Sequence, residues 1–372
     1  MKINIANTAI IKTWLSGQRW LIWVTSGMMI ALGLSVLYSL FFNSPDIEIF
    51  HRQLIYIVLG LLLSFVIGNY DYRILRRIVP FIVLISLGLM LFVLIGGITI
   101  HGTTGWLNFK LFSFQPVEIA KFATILTLAT FFSRYHNLLY SWKVLLVSFL
   151  IPLPFAALTF FQPDLGSTVA LYGIWIGFIL ASSVSRERKV ALVCACLLLV
   201  VLGWFFLLKD YQKARMSTFI NPEKDPKGIG YNTLQSITAI GSGGILGKGL
   251  GYGSQSQLNF LPEAHNDFIF AVLAEESGWI GSIIFLSIAG FFFFSIINTA
   301  QISRDNFGYF LAIGIFWFFL IHLTLNVGMN LGLLPVIGLP LPFVSAGGTN
   351  LFVSFLFVGI LQSIAKLGIK KI

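Results

Sequence analysis

Charge is what this sequence has least of. Only 10% of its 372 residues are Asp, Glu, Lys or Arg, whereas 57% are hydrophobic. A soluble globular protein carries about 25% charged residues. That deficit excludes a water-covered surface over most of the chain and leaves lipid as the solvent. Cysteine is almost missing too, with Cys194 and Cys196 the only two. At i, i+2 on a helix they point to different faces. No other thiol or clustered histidine joins them, so neither a disulfide nor a metal site is expected and both are read as inert core residues. Arginine-rich stretches and base-stacking motifs are also lacking. The net charge of +10 therefore does not point to nucleic acid. It reflects basic residues flanking apolar segments, as membrane orientation requires. No repeat of fixed period and no low-complexity tail occurs. No small-residue cleavage site follows the first apolar run, which is read as a retained anchor.

What the chain does have is long apolar runs. A bilayer span needs about 20 apolar residues. Ten segments qualify: 20–42, 53–69, 78–97, 117–133, 143–161, 166–183, 190–208, 267–297, 308–328 and 348–365. The eighth is too long for a simple span and is expected to tilt or to bend near Gly278. With the N-terminus inside, fifteen basic residues fall on inside segments, among them Arg73, Arg76, Arg77, Arg186, Arg188 and Lys189. The short outside loops then hold only Arg52 and Lys110. Segment 209–266 holds more, but long loops translocate regardless of charge. The expected fold is thus an all-α polytopic membrane protein of about ten transmembrane helices. Both termini are cytoplasmic, and residues 1–372 form one membrane domain. Segment 209–266 is its one large extracytoplasmic loop, between helices seven and eight.

That loop opens on a polar stretch, continues through Leu234, Ile237 and Ile240 at helical spacing, and becomes dense in glycine over GSGGILGKGLGYGSQ. Glycines 247, 249, 251 and 253 make no dinucleotide fingerprint, since no strand precedes them. Lys248 belongs to no phosphate loop, because Ser242 stands at the first glycine position.

An ionisable group near a membrane core is costly and is a functional candidate. Glu118 and Lys121 open the fourth span in QPVEIAK. At i, i+3 they share a face and can pair, whether only to fix the helix or to meet an anionic substrate. Asp164, in FQPDLGS, can cap the sixth span, where a carboxylate complements the helix dipole. Asp267 lies where the long loop re-enters the membrane. It too could be a cap, but Glu263, His265 and Asn266 crowd beside it, as proton transfer at a membrane surface would require. Deeper in that helix, at least one of Glu275 and Glu276 must face the protein interior. Segment 326–350 holds several prolines and glycines, which prevent a regular helix. Such backbone is tolerated at membrane depth only against protein or a watery cavity. Ser345, Gly347, Gly348 and Thr349 could offer N–H groups to an anion there.

QPVEIAK, FQPDLGS, NPEKDPKGIGYNTLQSITAIGSGGILGKG, LPEAHNDFIFAVLAEE and NLGLLPVIGLPLPFVSAGGTN together resemble the motifs of the SEDS family of peptidoglycan polymerases (shape, elongation, division, sporulation). They fall in family order over residues 100–365. Leucine in QPDLG and alanine in AVLAEE look more like the elongation, RodA-like branch than the division branch. Asn266, Ala346 and the stretch 101–107 depart from the family's usual residues. The resemblance implies a ten-helix fold in the bacterial cytoplasmic (inner) membrane. It implies glycosyl transfer from lipid II, a disaccharide-pentapeptide on undecaprenyl pyrophosphate, with the site on the outer face. It also implies a class B penicillin-binding protein as partner. The family's essential aspartate falls on Asp267, and its paired Glu and Lys fall on Glu118 and Lys121.

Asp267 is then the catalytic candidate, a general base on the acceptor's 4-hydroxyl. Because an alpha-linked donor gives a beta-linked product, one displacement suffices and no nucleophilic carboxylate is needed. Glu118, Lys121, Asp164, His265 and Ser345 are the substrate-binding candidates, with Lys121 balancing the pyrophosphate charge. A divalent cation could share that task, but no all-carboxylate cage is visible. Two other classes remain open: a lipid II flippase or transporter, which broken helices would suit, and a non-catalytic scaffold of a wall-synthesis complex.

Overall fold

A computed structural model describes residues 20–369, apart from 43, 101–102, 110–111, 207–212, 214–216, 223–224 and 226–227. The basic residues Lys2, Lys12, Arg19, Lys110, Lys370 and Lys371 and much of the polar stretch that opens the long loop lie outside the described residues.

The expected spans all fall on helices. In order these are α1 (Trp20–Phe41), α2 (Ile47–Asn69), α3 (Arg73–Gly96) and α4 (Pro116–Tyr135). The fifth span is a broken pair, α5 (Trp142–Leu150) and α6 (Leu153–Phe161). It breaks at Pro152, where a ring replaces the N–H that a continuous helix needs. Then follow α7 (Leu165–Ala181), α8 (Arg186–Phe206), the loop helices α9 (Ile229–Ser242) and α10 (Ser254–Gln257), and α11 (Ile269–Gln301), α12 (Asn306–Asn330) and α13 (Gly348–Ile369). Among the described residues, eight helical stretches are long and apolar enough to cross a membrane. The other two expected spans are α7, apolar but 17 residues long, and α8, which opens on Arg186, Arg188 and Lys189.

Burial sorts the helices. Of the apolar stretch of α4, 72% is buried, and of that of α13, 78%, against 17% for α2. α4 and α13 are therefore interior, and α2 shows most of its surface to lipid. One row of small residues brings α2 onto α13: Gly60, Ser64 and Gly68, at i, i+4 and i+8, are all buried. Such rows let membrane helices approach closely. Phenylalanines fill the centre, with Phe318 and Phe357 4.8 Å apart edge to face and Phe292 and Phe319 5.0 Å apart, a favoured aromatic geometry.

The bend in α11 falls at Gly278, where φ is 67° and ψ −163°. An α-helix would join Glu275 O to the N–H of Trp279 and Glu276 O to that of Ile280. Both bonds are open, and the glycine-dense loop completes all four groups. Lys248 N donates to Glu275 O at 3.1 Å and Gly249 N to Glu276 O at 2.9 Å. Trp279 N donates to Gly244 O at 3.0 Å and Ile280 N to Ile245 O at 3.2 Å.

Three features correct the sequence reading. The all-α expectation gains a small antiparallel sheet, Ile98–Ile100, Thr103–Phe109 and Phe112–Phe114, between α3 and α4. Two of its strands span only three residues, too few to show an alternating pattern in the sequence. The apolar stripe of α9 is mostly not its buried face: Leu234 and Ile237 are exposed and Ile240 half-buried, while Thr233, Ser236 and Ala239 are buried. The buried face is the polar one because Ser236 Oγ donates to Asn330 O at 2.9 Å. Finally, Cys194 is exposed and not in a core, while Cys196 is half-buried and packs against the core's edge. On a helix that shows its apolar side to lipid, an apolar residue need not face inward.

Candidate active site

The run from Leu261 to Phe268 has no regular structure, yet it is held firmly. Three successive carbonyls in it are gripped by segment 326–346. Ala346 N donates to His265 O at 2.9 Å. Ser345 Oγ donates to Asn266 O at 2.6 Å. Asn326 Nδ2 and Asn330 Nδ2 each donate to Asp267 O at 3.0 Å. The same Asn326 amide donates to Leu339 O at 2.8 Å, and Asn330 Oδ1 accepts from Ala271 N at 3.1 Å. His322, Asn326 and Asn330 stand at i, i+4, i+8 on α12 with no exposed surface. They form a polar column down one helix face. Asp267 itself precedes the residue that caps α11, which is Phe268. The Asp267 carboxylate lies against the irregular strand at Gly338, where an added Cβ would sit 3.4 Å from Oδ2.

Asp164 does cap. Its Oδ1 accepts from Ser167 N at 2.9 Å and its Oδ2 from Ser167 Oγ at 2.7 Å. Ser345 also has a structural task, since its hydroxyl accepts from Leu341 N at 2.8 Å. The anion site expected at 345–349 is partly used internally: Ser345 N donates to Leu341 O and Gly347 N to Gln53 Oε1.

Glu118 and Lys121 pair as their spacing suggests, at 2.7 Å, with side-chain exposures of 1% and 0%. Lys121 Nζ also meets His322 Nε2 at 3.0 Å, and Asn350 Nδ2 donates to Glu118 Oε2 at 3.3 Å. This buries the charge against neutral partners. Neither Glu118 nor Lys121 lines any of the three hollows near the 261–268 run. Both deeper glutamates are buried. Glu275 accepts from Lys248 Nζ at 2.8 Å and from the N–H groups of Gln255 and Ser256 at 3.0 and 3.1 Å.

Of those three hollows, His265 lines two and Asn266 one, while Asp267 itself lines none. A polar chamber of about 220 Å³ is lined by Arg52, Gln53, His265, Asn266 and Asn350 and by the start of α13. An apolar groove of about 440 Å³ runs from it between α2, α3, α4 and α13, past Leu63, Ile82, Phe122 and Leu356. The two share Tyr56, Ser113, Gly348 and Thr349. Ile85 in the groove stays 60% exposed, so the groove opens on the lipid-facing side of α3. A larger chamber of about 820 Å³ lies on the other side of His265. Among the described residues no group of three or more His, Cys, Asp or Glu could hold a metal. A magnesium ion at this site would be held chiefly by substrate phosphates, its usual mode.

Reading the sequence for charges missed His322, Asn326, Asn330 and Asn350. A signal existed, since a histidine and two asparagines at i, i+4 inside one apolar span are themselves polar groups at membrane depth.

A bundle of membrane-length helices closed over a polar chamber defines a polytopic membrane protein. The chain belongs to the family of cell cycle proteins that groups FtsW, RodA and SpoVE, the SEDS family, which matches residues 14–368. It is 38% identical over 327 residues to the peptidoglycan glycosyltransferase MrdB of Escherichia coli, covering 87% of each chain. It is 35% identical over 321 residues to an FtsW of Trichlorobacter lovleyi, covering 84% of this chain and 82% of that one. The likeness to MrdB, a RodA, agrees with the RodA-like expectation. Among solved structures, one chain of a peptidoglycan synthase complex that coordinates polymerization and crosslinking superposes with a TM-score of 0.80. It is 25% identical, with 94% of this chain and 98% of that one covered. The rod shape determining protein RodA of Thermus thermophilus superposes with a TM-score of 0.68 at 24% identity, covering 94% and 96%.

Proposed function

We propose that this chain is a peptidoglycan glycosyltransferase that polymerises lipid II into glycan strands for cell-wall elongation. The carrying observation is the polar chamber that continues into an apolar groove open to lipid. A substrate made of a sugar head on a polyprenyl tail needs both, joined at its pyrophosphate. The N-terminal end of α13 lies where the two meet and supplies positive potential for that group; Arg52, paired with Glu48 at 2.8 Å, lines the polar chamber beside it.

Asp267 is the general base. It takes the proton of the acceptor's 4-hydroxyl as that oxygen bonds to the donor's anomeric carbon. The bond from that carbon to the pyrophosphate breaks, with inversion. His265 and Asn266 line the chamber ahead of it. Glu118 and Lys121 act from beneath, through Asn350, to hold the start of α13. The reading includes ten crossings of the bacterial cytoplasmic membrane with the chamber on the outer face. A class B penicillin-binding protein is the partner that crosslinks the product.

Purified protein given labelled lipid II tests this, with products sized on a gel. Wild-type protein should give a ladder, which neither a transporter nor a scaffold would. Asp267→Asn keeps the shape, and Asn326 and Asn330 hold the main-chain carbonyl rather than the side chain. The variant should fold and bind its partner yet polymerise about 10²–10⁴ times more slowly, the usual cost of losing a general base. Near-normal polymer from folded Asp267→Asn protein would remove Asp267 from the mechanism.

A further inference from the structure

The larger chamber has no part in the chemistry above. Its volume of about 820 Å³ lies within the range of small-molecule sites, roughly 300–1,000 Å³. It is walled by the end of α1, the turn into α2 and the 250–265 run. His265 and Ile49 line both chambers, so the two meet two residues before Asp267.

Their linings differ in charge. The smaller chamber has Arg52 and, among the described residues, no Asp or Glu in its wall. The larger has Asp46 and Glu263 and, among the described residues, no Lys or Arg. A pyrophosphate in the larger chamber would face carboxylates in the wall, which selects against it. The same wall suits a sugar. Asp46 and Glu263 accept from hydroxyls, and Gln257 and Asn259 both donate and accept. Tyr38 and Phe42, with ring centroids 5.0 Å apart, offer an apolar platform for the C–H face of a pyranose.

A buried group stands behind this wall. Glu276 is 2% exposed. Its Oε1 accepts from Ser39 Oγ at 2.6 Å and Gly251 N at 2.9 Å, and Ser39 and Gly251 both line the chamber. Its Oε2 has no hydrogen-bond partner among the described residues. Buried polar atoms rarely stand so; Glu276 does not itself line the chamber, and it bears on a ligand there only by holding Ser39 and Gly251 in the wall.

We propose that the larger chamber is an oligosaccharide subsite. It holds the sugar rings of the strand beyond the bond being made, their stem peptides pointing out of it, while the lipid-linked pyrophosphate occupies the smaller chamber. This rests on the polymerase reading and adds to it the path of the glycan. A subsite that grips the strand between additions sets how many additions precede release.

The test is strand length in the lipid II assay, using full-length protein with Tyr38→Ala, Asp46→Ala and Asn259→Gly combined. Asn259 has a φ of 56°, so glycine removes its side chain without strain. Strands should shorten about tenfold, and more steeply than lipid II consumption falls, if about 1.4 kcal/mol of grip is lost. Lipid-free glycan fragments released from cell walls by muramidase should inhibit wild-type protein and no longer inhibit the variant. Asp46→Ala alone, read by the same competition, serves if the triple variant does not fold. Unchanged strand length with undiminished inhibition by the fragments overturns the subsite and leaves the polymerase standing. So does a loss of consumption in equal proportion to length. Absence of any polymer from wild-type protein would sink both.

Discussion

Lys121 has three N–H groups and no exposed surface. One meets Glu118 Oε1 at 2.7 Å and one meets His322 Nε2 at 3.0 Å. The ring's other nitrogen lies 2.8 Å from Phe318 O. A carbonyl can only accept, so Nδ1 carries the proton and Nε2 turns its lone pair to the ammonium. The histidine is thus a neutral partner that helps one buried cation answer one buried carboxylate. Removing one member of such a pair costs about 3–5 kcal/mol, while replacing both is often nearly neutral. Lys121→Met should therefore strip folded protein from the membrane, and Glu118→Gln with Lys121→Met should recover most of it. Melting of the detergent-solubilised variants measures this, and a double variant no more stable than the single would refute the account. The pairing itself was legible from i, i+3 spacing. Its remaining partners were not, because His322 and Asn350 come from distant helices and a local rule sees only neighbours. Asn326 and Asn330 escaped for another reason: they carry no charge, so a search for membrane-buried charges passes over them.

The helix α11 and the loop before it are built as one unit. A run too long for one span implied a bend, and the bend is at Gly278. That the glycine-dense loop supplies the four backbone groups opened there was not visible, since glycine run and kink are separated in the chain by α10 and the 261–268 run. Two glycines make the docking possible. At Gly278, with φ +67°, an added Cβ would lie 2.3 Å from Gly247 N. At Gly247, with φ +81°, it would lie 2.1 Å from Glu276 O. A residue with a Cβ at positive φ costs about 1–3 kcal/mol before any clash is counted. Gly278→Ala or Gly247→Ala should lower the melting temperature and open residues 229–257 to protease. Gly290 is the control in the same helix, since a Cβ there meets nothing within 4 Å. Gly290→Ala should be neutral or stabilise by about 0.5–1 kcal/mol, the helical preference for alanine. Equal behaviour of Gly290→Ala and Gly278→Ala would show that the kink does not depend on the glycine.

At the scale of the whole molecule the spans were legible because lipid leaves the chain few choices: every backbone polar group in it must be satisfied internally, which selects helices. Sidedness is a separate matter, carried by lysines and arginines at the helix ends. It turns on α8, the expected seventh span, whose first turn holds Arg186, Arg188 and Lys189. If α8 crosses, the turn before it and the loop after it lie on opposite sides. If α8 lies along the surface, they lie on the same side. Ser185 and Ser254 are both exposed and flank that helix, so a cysteine at each reports the crossing directly. In a background with Cys194 and Cys196 replaced by serine, Ser254→Cys should react with a membrane-impermeant maleimide in intact spheroplasts. Ser185→Cys should react only after the membrane is opened. Equal labelling of the two would place α8 on the surface, and labelling in the reverse order would turn the whole protein over and put the chamber beside Asp267 on the inner face. Either result would leave the buried contacts of α4, α12 and α13 as they are, since those depend on packing and not on sidedness. The reversed order alone would, however, separate the base from a substrate displayed outside, and the proposed chemistry with it.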